Sequence, residues 1–151
     1  GLRTFEPLPH RLTPVASADG VTWIDDSKAT NPDAVVKALE AFDAPIVLIA
    51  GGRAKNTDFS AMGAAASRRA KAVVLIGEAA KAIGAHVDGP EIAYATDMEA
   101  AVDASARLAA PGDVVLLSPG CASFDMYDSA EHRGDVFSAL VRGRARGVAA
   151  S

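Results

Sequence analysis

The sequence predicts an α/β fold, namely a Rossmann-like, doubly wound and mostly parallel β-sheet with an N-terminal β-hairpin, in a single domain. Apolar, β-branched segments alternate repeatedly with helical patterns along the chain. Half of the 151 residues are hydrophobic but only 5% are aromatic, which is typical of buried parallel strands covered by alanine-rich helices. A chain of this length is expected to form one domain with its own core.

The first predicted elements are the hairpin and a helix. Two extended segments, residues 13–17 and 21–24, flank Ala18-Asp19-Gly20, and Asp-Gly strongly favours a tight hairpin turn. A helix is predicted from Asn31, because Asn31 can cap it and Pro32 suits its first position. Its apolar face repeats at three- and four-residue steps, through Ala34, Val35, Ala38, Leu39 and Phe42.

Glycine, proline and capping residues divide the rest of the chain into alternating strands and helices. Thr57-Asp58 is expected to cap one helix, and Thr96-Asp97-Met98-Glu99 has the pattern of a capping box for another. The predicted strands cover residues 45–50, 72–76, 91–94 and 113–117, and the predicted helices cover residues 57–70, 78–83, 96–109 and 133–142. We expect residues 148–151 to form a frayed tail.

Charge and composition exclude several classes of function. The net charge is −4 without a basic stripe, which argues against nucleic acid as a main partner. Cys121 is the single cysteine, so it forms no intrachain disulfide, and we interpret it as a small buried residue. No apolar run approaches the roughly 20 residues of a membrane span, and the chain does not begin with a signal peptide. The sequence therefore predicts a soluble, cytoplasmic domain.

Several common types of site are missing from the sequence. His10, His86 and His132 lack the spacing of metal ligands, so no metal site is expected. There is no Gly-Lys-Thr/Ser phosphate loop, no Gly-x-Ser-x-Gly elbow and no Gly-x-Gly-x-x-Gly fingerprint. The sequence itself therefore gives no sign of a P-loop, an α/β-hydrolase or a dinucleotide-binding site.

Polar residues are concentrated instead after three of the predicted strands. Residues 25–31 contain two acids, a lysine and two hydroxyls; residues 51–57 contain two glycines and two cations; residues 118–123 contain glycine and small hydroxyl residues. Parallel strands bring their carboxyl ends to one edge of a sheet, where open α/β sheets bind ligands. Because Lys28, Arg53 and Lys55 lie near predicted helix N-termini, we expect an anion site at this edge.

These segments resemble the C-terminal domain of the Mur ligases. The matching stretches follow the family's order along the whole chain. They are Leu8-Pro9-His10-Arg11; Trp23-Ile24-Asp25-Asp26-Ser27-Lys28-Ala29-Thr30-Asn31; Ala50-Gly51-Gly52 with Lys55 and Asp58-Phe59-Ser60; Leu117-Ser118-Pro119 with Cys121-Ala122-Ser123-Phe124-Asp125; and Glu131-His132-Arg133-Gly134 before Phe137. Five linked motifs are far more specific than one. The resemblance is greatest to the family member that adds D-glutamate to UDP-N-acetylmuramoyl-L-alanine.

The resemblance implies an ATP-dependent amide ligation in peptidoglycan synthesis. ATP would phosphorylate the carboxylate of UDP-N-acetylmuramoyl-L-alanine, and the amine of D-glutamate would attack the acyl phosphate. The family divides this work among an N-terminal domain for the UDP-sugar, a central P-loop domain that holds Mg²⁺, and a C-terminal domain that brings the amino acid. On this interpretation residues 1–9 are an interdomain linker, and residues 10–147 are the C-terminal domain of a longer enzyme, inactive alone.

The resemblance also implies which residues hold the amino acid. The D-glutamate carboxylates would be bound by Thr30, Lys55, Ser123 and the backbone at Phe124. A dianionic amino acid requires a cation and several donors, which this set supplies. Two places depart from the family pattern. Ala130 stands where a bulky aromatic residue is common beside the pocket, and Arg53-Ala54 replaces smaller or acidic residues that are common before the lysine.

Three further residues would act on the nucleotide and the phosphate. By the same resemblance, Arg11 and Asp26 would contact ATP across the gap between domains, since an acid suits ribose hydroxyls and an arginine suits phosphate oxygens. Lys28 would be catalytic by adding positive potential at the transferring phosphate.

Two alternatives stay open at this level. The chain could belong to another Mur ligase or to a folylpolyglutamate synthetase, which differ in the amino acid they prefer. It could also be a freestanding receiver-like or flavodoxin-like binding module, for which Asp25-Asp26 would supply the acidic cluster although the other loops do not fit.

Overall fold

A single twisted sheet forms the centre of the computed structural model, which describes residues 10–54, 56–123 and 126–150. Its strands are β1 (Thr13–Ala18), β2 (Val21–Asp25), β3 (Ile46–Gly51), β4 (Ala70–Ile76), β5 (Glu91–Tyr94) and β6 (Val114–Leu117). Within the described residues, they lie in the order β1-β2-β6-β3-β4-β5. β1 pairs antiparallel with β2, and the other neighbours are parallel, so the predicted mostly parallel sheet with an N-terminal hairpin is confirmed.

Helices cover both faces of the sheet. They are α1 (Pro32–Leu39), α2 (Ser60–Arg69), α3 (Ala80–Gly84), α4 (Met98–Leu108) and α5 (Ala130–Ala150). One core lies between the sheet and α1, α2 and α3, and a second lies between the sheet and α4 and α5. Alternate strand residues serve the two cores: Leu48 and Leu116 face the first, whereas Val47 and Val115 face the second. Burial on both faces explains the continuous apolar strands and confirms the doubly wound fold.

Local signals in the sequence fix the hairpin and the start of α1. Asp19 and Gly20 have φ angles of 54° and 78°, as a type I′ turn requires. At α1, the side chain of Asn31 accepts a hydrogen bond from the amide of Ala34 at 3.0 Å, and Pro32 occupies the first turn. Both predictions are confirmed.

Two predicted helix starts are shifted. The predicted cap Thr57-Asp58 is wrong, because α2 begins at Ser60 after a turn in which the Asp58 carboxylate accepts from the Ser60 amide at 2.9 Å. At α4 the capping residue is Asp97 rather than Thr96, and its carboxylate accepts from the Ala100 amide at 2.8 Å. An ionised carboxylate bonds an amide more strongly than a hydroxyl does.

The last helix is longer than the sequence predicts. α5 begins at Ala130 and continues to Ala150, so the predicted helix bounds of residues 133–142 are wrong at both ends. The frayed tail predicted for residues 148–151 stays a prediction. A tertiary contact supports the extension, because the guanidinium of Arg144, beyond the predicted end, donates to Asp103 of α4 at 2.8 Å. The linker predicted for residues 1–9 lies outside the described residues. None of the helices in the described ranges combines the length and apolarity needed to cross a membrane.

Candidate functional site

The candidate site lies where β2, β6 and β3, which are neighbours in the sheet, reach their carboxyl ends. Main-chain hydrogen bonds join the three loops that follow these strands. The Asp26 amide donates to the Leu117 carbonyl at 2.8 Å, and the Gly51 amide donates to the Pro119 carbonyl at 3.0 Å. The prediction that the three polar loops share one edge is confirmed.

The glycine pair at the end of β3 permits this close approach. Gly51 and Gly52 have φ angles of 126° and 148°, which side-chain-bearing residues rarely adopt. A Cβ atom on Gly51 would lie 1.9 Å from the carbonyl oxygen of Ile76, and one on Gly52 would lie 2.5 Å from that of Ala122. Any larger residue would therefore push the loop away from its neighbours.

A recess of about 240 Å³ opens between the three loops, and we call it the Thr30 recess. Its lining residues are Thr30, Asn31, Pro32, Arg53, Thr57, Gly120, Cys121 and Ala122. The Thr30 and Arg53 residues are exposed, and the first turn of α1 forms one wall. A hydroxyl, a guanidinium and a helix N-terminus together make a suitable environment for a carboxylate.

Of the three other predicted amino-acid ligands, Ser123 is the one within the described residues. Ser123 is buried and does not line the Thr30 recess, and the Ser123 carbonyl accepts from the amides of Met126 and Tyr127 at 3.1 and 2.8 Å. Lys55 and Phe124 lie outside the described residues. Their predicted roles stay predictions.

A second recess of about 230 Å³ lies beside α1, and we call it the Asp26 groove. Arg11, Leu12, Asp26, Ala29, Ala34, Lys37 and Ala38 line it. The structure thus brings together Arg11 and Asp26, the two predicted nucleotide contacts. Two cations and a carboxyl on one groove suit a ligand that carries both anionic and hydroxyl oxygens.

Asp26 is the most perturbed acid at this edge. It is only 6% exposed, and its two carboxylate oxygens accept from the Leu12 amide at 3.1 Å and the Ser118 hydroxyl at 2.9 Å. Burial raises the pKa of Asp26 from 3.8 to about 6, because these two bonds offset only part of the desolvation and the neighbouring Asp25 opposes a second charge. Carboxyl groups perturbed in this way are frequent at functional sites.

Lys28 lies apart from both recesses. Its ammonium group pairs with the carboxylate of Glu131 at the start of α5, and this hydrogen bond lowers the pKa of Glu131 below its usual value. Nearby, the Ser27 hydroxyl donates to the carbonyl of Ala130 at 2.6 Å. Ala130, one of the departures from the family pattern, therefore contacts the loop after β2 through its backbone.

Sequence reasoning assigned no role to Arg133, Ser27 or His10, which support this edge. Arg133 is 1% exposed, and its guanidinium donates to the Ser27 hydroxyl at 3.0 Å and to the Ser27 carbonyl at 2.9 Å. The imidazole of His10 contacts the carboxylate of Asp25 at 2.5 Å. The motifs that contain these residues were visible, but nothing in their spacing revealed these contacts. Within the described ranges, no group of three or more His, Cys, Asp or Glu is arranged to hold a metal ion.

Known solved structures share this fold. A domain from a protein described as a UDP-N-acetylmuramate:L-alanyl-γ-D-glutamyl-diaminopimelate ligase from Haemophilus ducreyi matches 91% of this chain and 99% of its own, with a TM-score of 0.63 and 16% identity. The bifunctional folylpolyglutamate synthase/dihydrofolate synthase of Yersinia pestis, complexed with AMPPNP and a Mn ion, matches with a TM-score of 0.65 and 21% identity. The match covers 89% of this chain and 32% of that one.

Sequence relatives are much more similar. The UDP-N-acetylmuramoylalanine–D-glutamate ligase of Pelotomaculum thermopropionicum is 50% identical over 93% of this chain, and that of Salinibacter ruber is 49% identical over 93%. The chain spans about a third of the length of these relatives (31% of each). The family model for the Mur ligase, glutamate ligase domain, matches residues 10–121. The resemblance seen in the sequence is thereby confirmed, and the receiver-like alternative is excluded: the chain belongs to the Mur ligase glutamate ligase domain family.

Proposed function

We propose that this chain is the C-terminal domain of an ATP-dependent ligase that adds D-glutamate to UDP-N-acetylmuramoyl-L-alanine. The observation that carries the proposal is the 50% identity over 93% of the chain to a relative named as a D-glutamate ligase. Another Mur ligase or a folylpolyglutamate synthetase is the second candidate. It is less well supported, because the folylpolyglutamate synthase from Yersinia pestis shares only 21% identity.

The two recesses suggest a division of labour at the sheet edge. In this proposal the Thr30 recess, with Lys55, receives a carboxylate of D-glutamate, and Ser123 and the backbone at Phe124 complete the pocket. The exposed residues Thr30 and Arg53, which line the same recess, support this assignment, because an anionic amino acid needs donors and positive charge.

The Asp26 groove is assigned to the nucleotide. Each carboxylate oxygen of Asp26 accepts one hydrogen bond within the domain and retains a further lone pair, so it can accept a ribose hydroxyl. Arg11 lines the same groove and can pair with phosphate oxygens. When the domains close, the ammonium group of Lys28 would leave the carboxylate of Glu131 and pair with the transferring phosphate. Mg²⁺ would be held by the central domain of the longer enzyme.

Amino-acid selectivity of the full-length enzyme tests the proposal. With ATP, Mg²⁺ and UDP-N-acetylmuramoyl-L-alanine, phosphate release should depend on D-glutamate and not on L-glutamate, L-lysine or diaminopimelate. The present chain alone should release no phosphate, because phosphoryl transfer needs a phosphate-binding loop and its metal ion. Preference for another amino acid would favour the second candidate, and activity of the chain alone would contradict the division of labour.

Replacing Lys55 tests the amino-acid pocket. Lys55→Ala should raise KM for D-glutamate about 10- to 150-fold and leave KM for ATP nearly unchanged, because a charge-assisted bond to a carboxylate contributes about 1.5–3 kcal/mol. Arg144→Ala is a matched control, since Arg144 pairs with Asp103 away from both recesses. Equal effects on KM for both substrates would contradict the assignment of Lys55 to the amino-acid pocket.

A further inference from the structure

Arg11 is carried by a three-residue segment whose backbone is tied to the loop after β2 on both sides. The carbonyl of His10 accepts a hydrogen bond from the Lys28 amide at 3.0 Å. The amide of Leu12 donates to a carboxylate oxygen of Asp26 at 3.1 Å. Arg11 therefore lies between two anchored residues, and its side chain lines the Asp26 groove.

The same segment is anchored a third time, by the side chain of His10. Its Nδ1 is hydrogen-bonded to a carboxylate oxygen of Asp25 at 2.5 Å. Asp25 is 2% exposed, and its other oxygen accepts from the Ser27 amide at 2.9 Å. Helix α5 leaves room for this pair at Gly134, where a Cβ atom would lie 2.3 Å from Nδ1 of His10 and 2.8 Å from the Asp25 oxygen.

The backbone of the segment needs these anchors. His10 and Leu12 have φ angles of 64° and 46°, in the left-handed region that residues other than glycine seldom adopt. Such conformations persist where surrounding contacts over-determine them, and they are frequent at ligand-binding sites. Because His10 and Leu12 flank Arg11, their two positive φ angles set a backbone path at Arg11 that local conformational preference would not produce.

We propose that His10 and Asp25 are positioning residues that hold Arg11 over the Asp26 groove. The inference rests on the proposed function in which Arg11 contacts the nucleotide. Neither His10 nor Asp25 lines the groove, so their effect on a ligand there passes through the segment that carries Arg11. The outer nitrogen of His10, Nε2, lies 3.3 Å from the exposed carboxylate of Asp135. The proposed positioning of Arg11 does not depend on this contact.

Two substitutions of His10 distinguish the role of Nδ1 from that of Nε2. In His10→Asn the amide nitrogen takes the place of Nδ1 and can donate to Asp25, and asparagine tolerates a positive φ. In His10→Gln the longer amide reaches toward the position of Nε2 and loses the Nδ1 hydrogen bond. In the full-length ligase, His10→Gln should raise KM for ATP about 10- to 100-fold, whereas His10→Asn should stay within about 3-fold of the wild type.

A double substitution then tests whether His10 acts through Arg11. Arg11→Ala should raise KM for ATP as much as His10→Gln does, and the double variant should be no worse than either, because both remove the same contact. Multiplied effects, or equal effects of Asn and Gln at position 10, would overturn the proposal. Arg144→Ala serves again as the control and should leave both KM values unchanged.

Amide exchange in the present chain gives a readout that does not depend on catalysis. In His10→Gln, the amides of Leu12 and Lys28 should lose at least about 10-fold of their protection, while the Gly51 amide, bonded to Pro119, should keep its own. Full protection at Leu12 and Lys28 would overturn the positioning role even if ligation is impaired. A full-length protein that does not ligate D-glutamate would overturn the proposed function, while this measurement would still decide the anchoring.

Discussion

Replacing Asp26 by asparagine should stabilise the domain at neutral pH and have little effect in acid. Burial raises the pKa of Asp26 from 3.8 to about 6 in the folded state. The folded protein therefore binds this proton more tightly than the unfolded chain does, and stability contributed by the protonated form is lost as pH rises through about 6. At neutral pH the buried charge destabilises the fold.

The magnitude follows from the size of the shift. A shift from 3.8 to about 6 corresponds to at most about 3 kcal/mol at about 1.4 kcal/mol per pH unit, and solvent near the groove reduces this to about 1–3 kcal/mol. Asparagine can keep a hydrogen bond to each of the two partners of Asp26, with the direction of the bond to Ser118 reversed. Its oxygen can accept from Leu12 and its amide can donate to the hydroxyl of Ser118, the two partners of Asp26.

Urea unfolding of the present chain at a series of pH values from about 4 to about 8 measures the effect. The free energy of unfolding of Asp26→Asn should exceed that of the wild type by about 1–3 kcal/mol at about pH 8, and the two should converge near pH 4. The difference cancels contributions from other carboxyls, such as Glu131, whose lowered pKa gives the opposite slope. Exposed Asp88→Asn is the control.

A difference between Asp26→Asn and the wild type that does not change with pH would refute this reasoning, and so would a variant less stable than the wild type at about pH 8. In the full-length ligase the same substitution should weaken productive use of ATP and leave binding of the UDP-sugar unchanged. Loss of activity together with a gain in stability would identify the buried carboxyl as retained for ligand binding.

Three further expectations concern packing, a partly exposed ion pair and the nucleotide. Gly134→Ala should destabilise the domain by about 1–3 kcal/mol, because its Cβ would lie 2.3 Å from Nδ1 of His10. Gly143→Ala on the same helix, with no atom closer than 3.8 Å, should be neutral or stabilising by up to about 1 kcal/mol; equal effects in urea unfolding would contradict this. Asp113 has a lowered pKa, because hydrogen bonds from Lys71 and Ala110 outweigh its desolvation. Its contribution is thus lost as pH falls through that lowered pKa, and Lys71→Ala should cost about 1 kcal/mol at neutral pH and less in acid. A pH-independent cost would argue that only packing is lost. Finally, calorimetric titration of the present chain with ATP should show a Kd of about 1 mM or weaker, and micromolar affinity would mean that this domain carries a complete nucleotide site.

Much of the fold could be predicted because its signals are local. Asp19-Gly20 specifies the hairpin turn, Asn31-Pro32 specifies the start of α1, and uninterrupted apolar runs specify the central strands. The convergence of the three polar loops also followed from the sequence, since parallel strands necessarily end at one edge. The family motifs identified the domain, because several motifs in the same order along the chain indicate a shared site, and the family model matches residues 10–121.

The tertiary structure decided how each side chain at that edge is used. The prediction grouped Lys28 and Arg53 in one anion site, but Lys28 pairs with Glu131 and Arg53 lines the Thr30 recess. Whether Asp26 is exposed or buried depends on Ser118, 92 positions away in the chain. The length of α5 was likewise underestimated because its support comes from α4.

The sequence by itself therefore determined the order of the elements, the edge of the sheet that carries the site and the family. The burial and pKa of Asp26, the anchoring of His10 and the separation of the two recesses depended on the tertiary structure. The physical reason is range: propensities and caps act over a few residues, whereas burial and charge pairing act between segments such as Ser27 and Arg133, which are 106 residues apart.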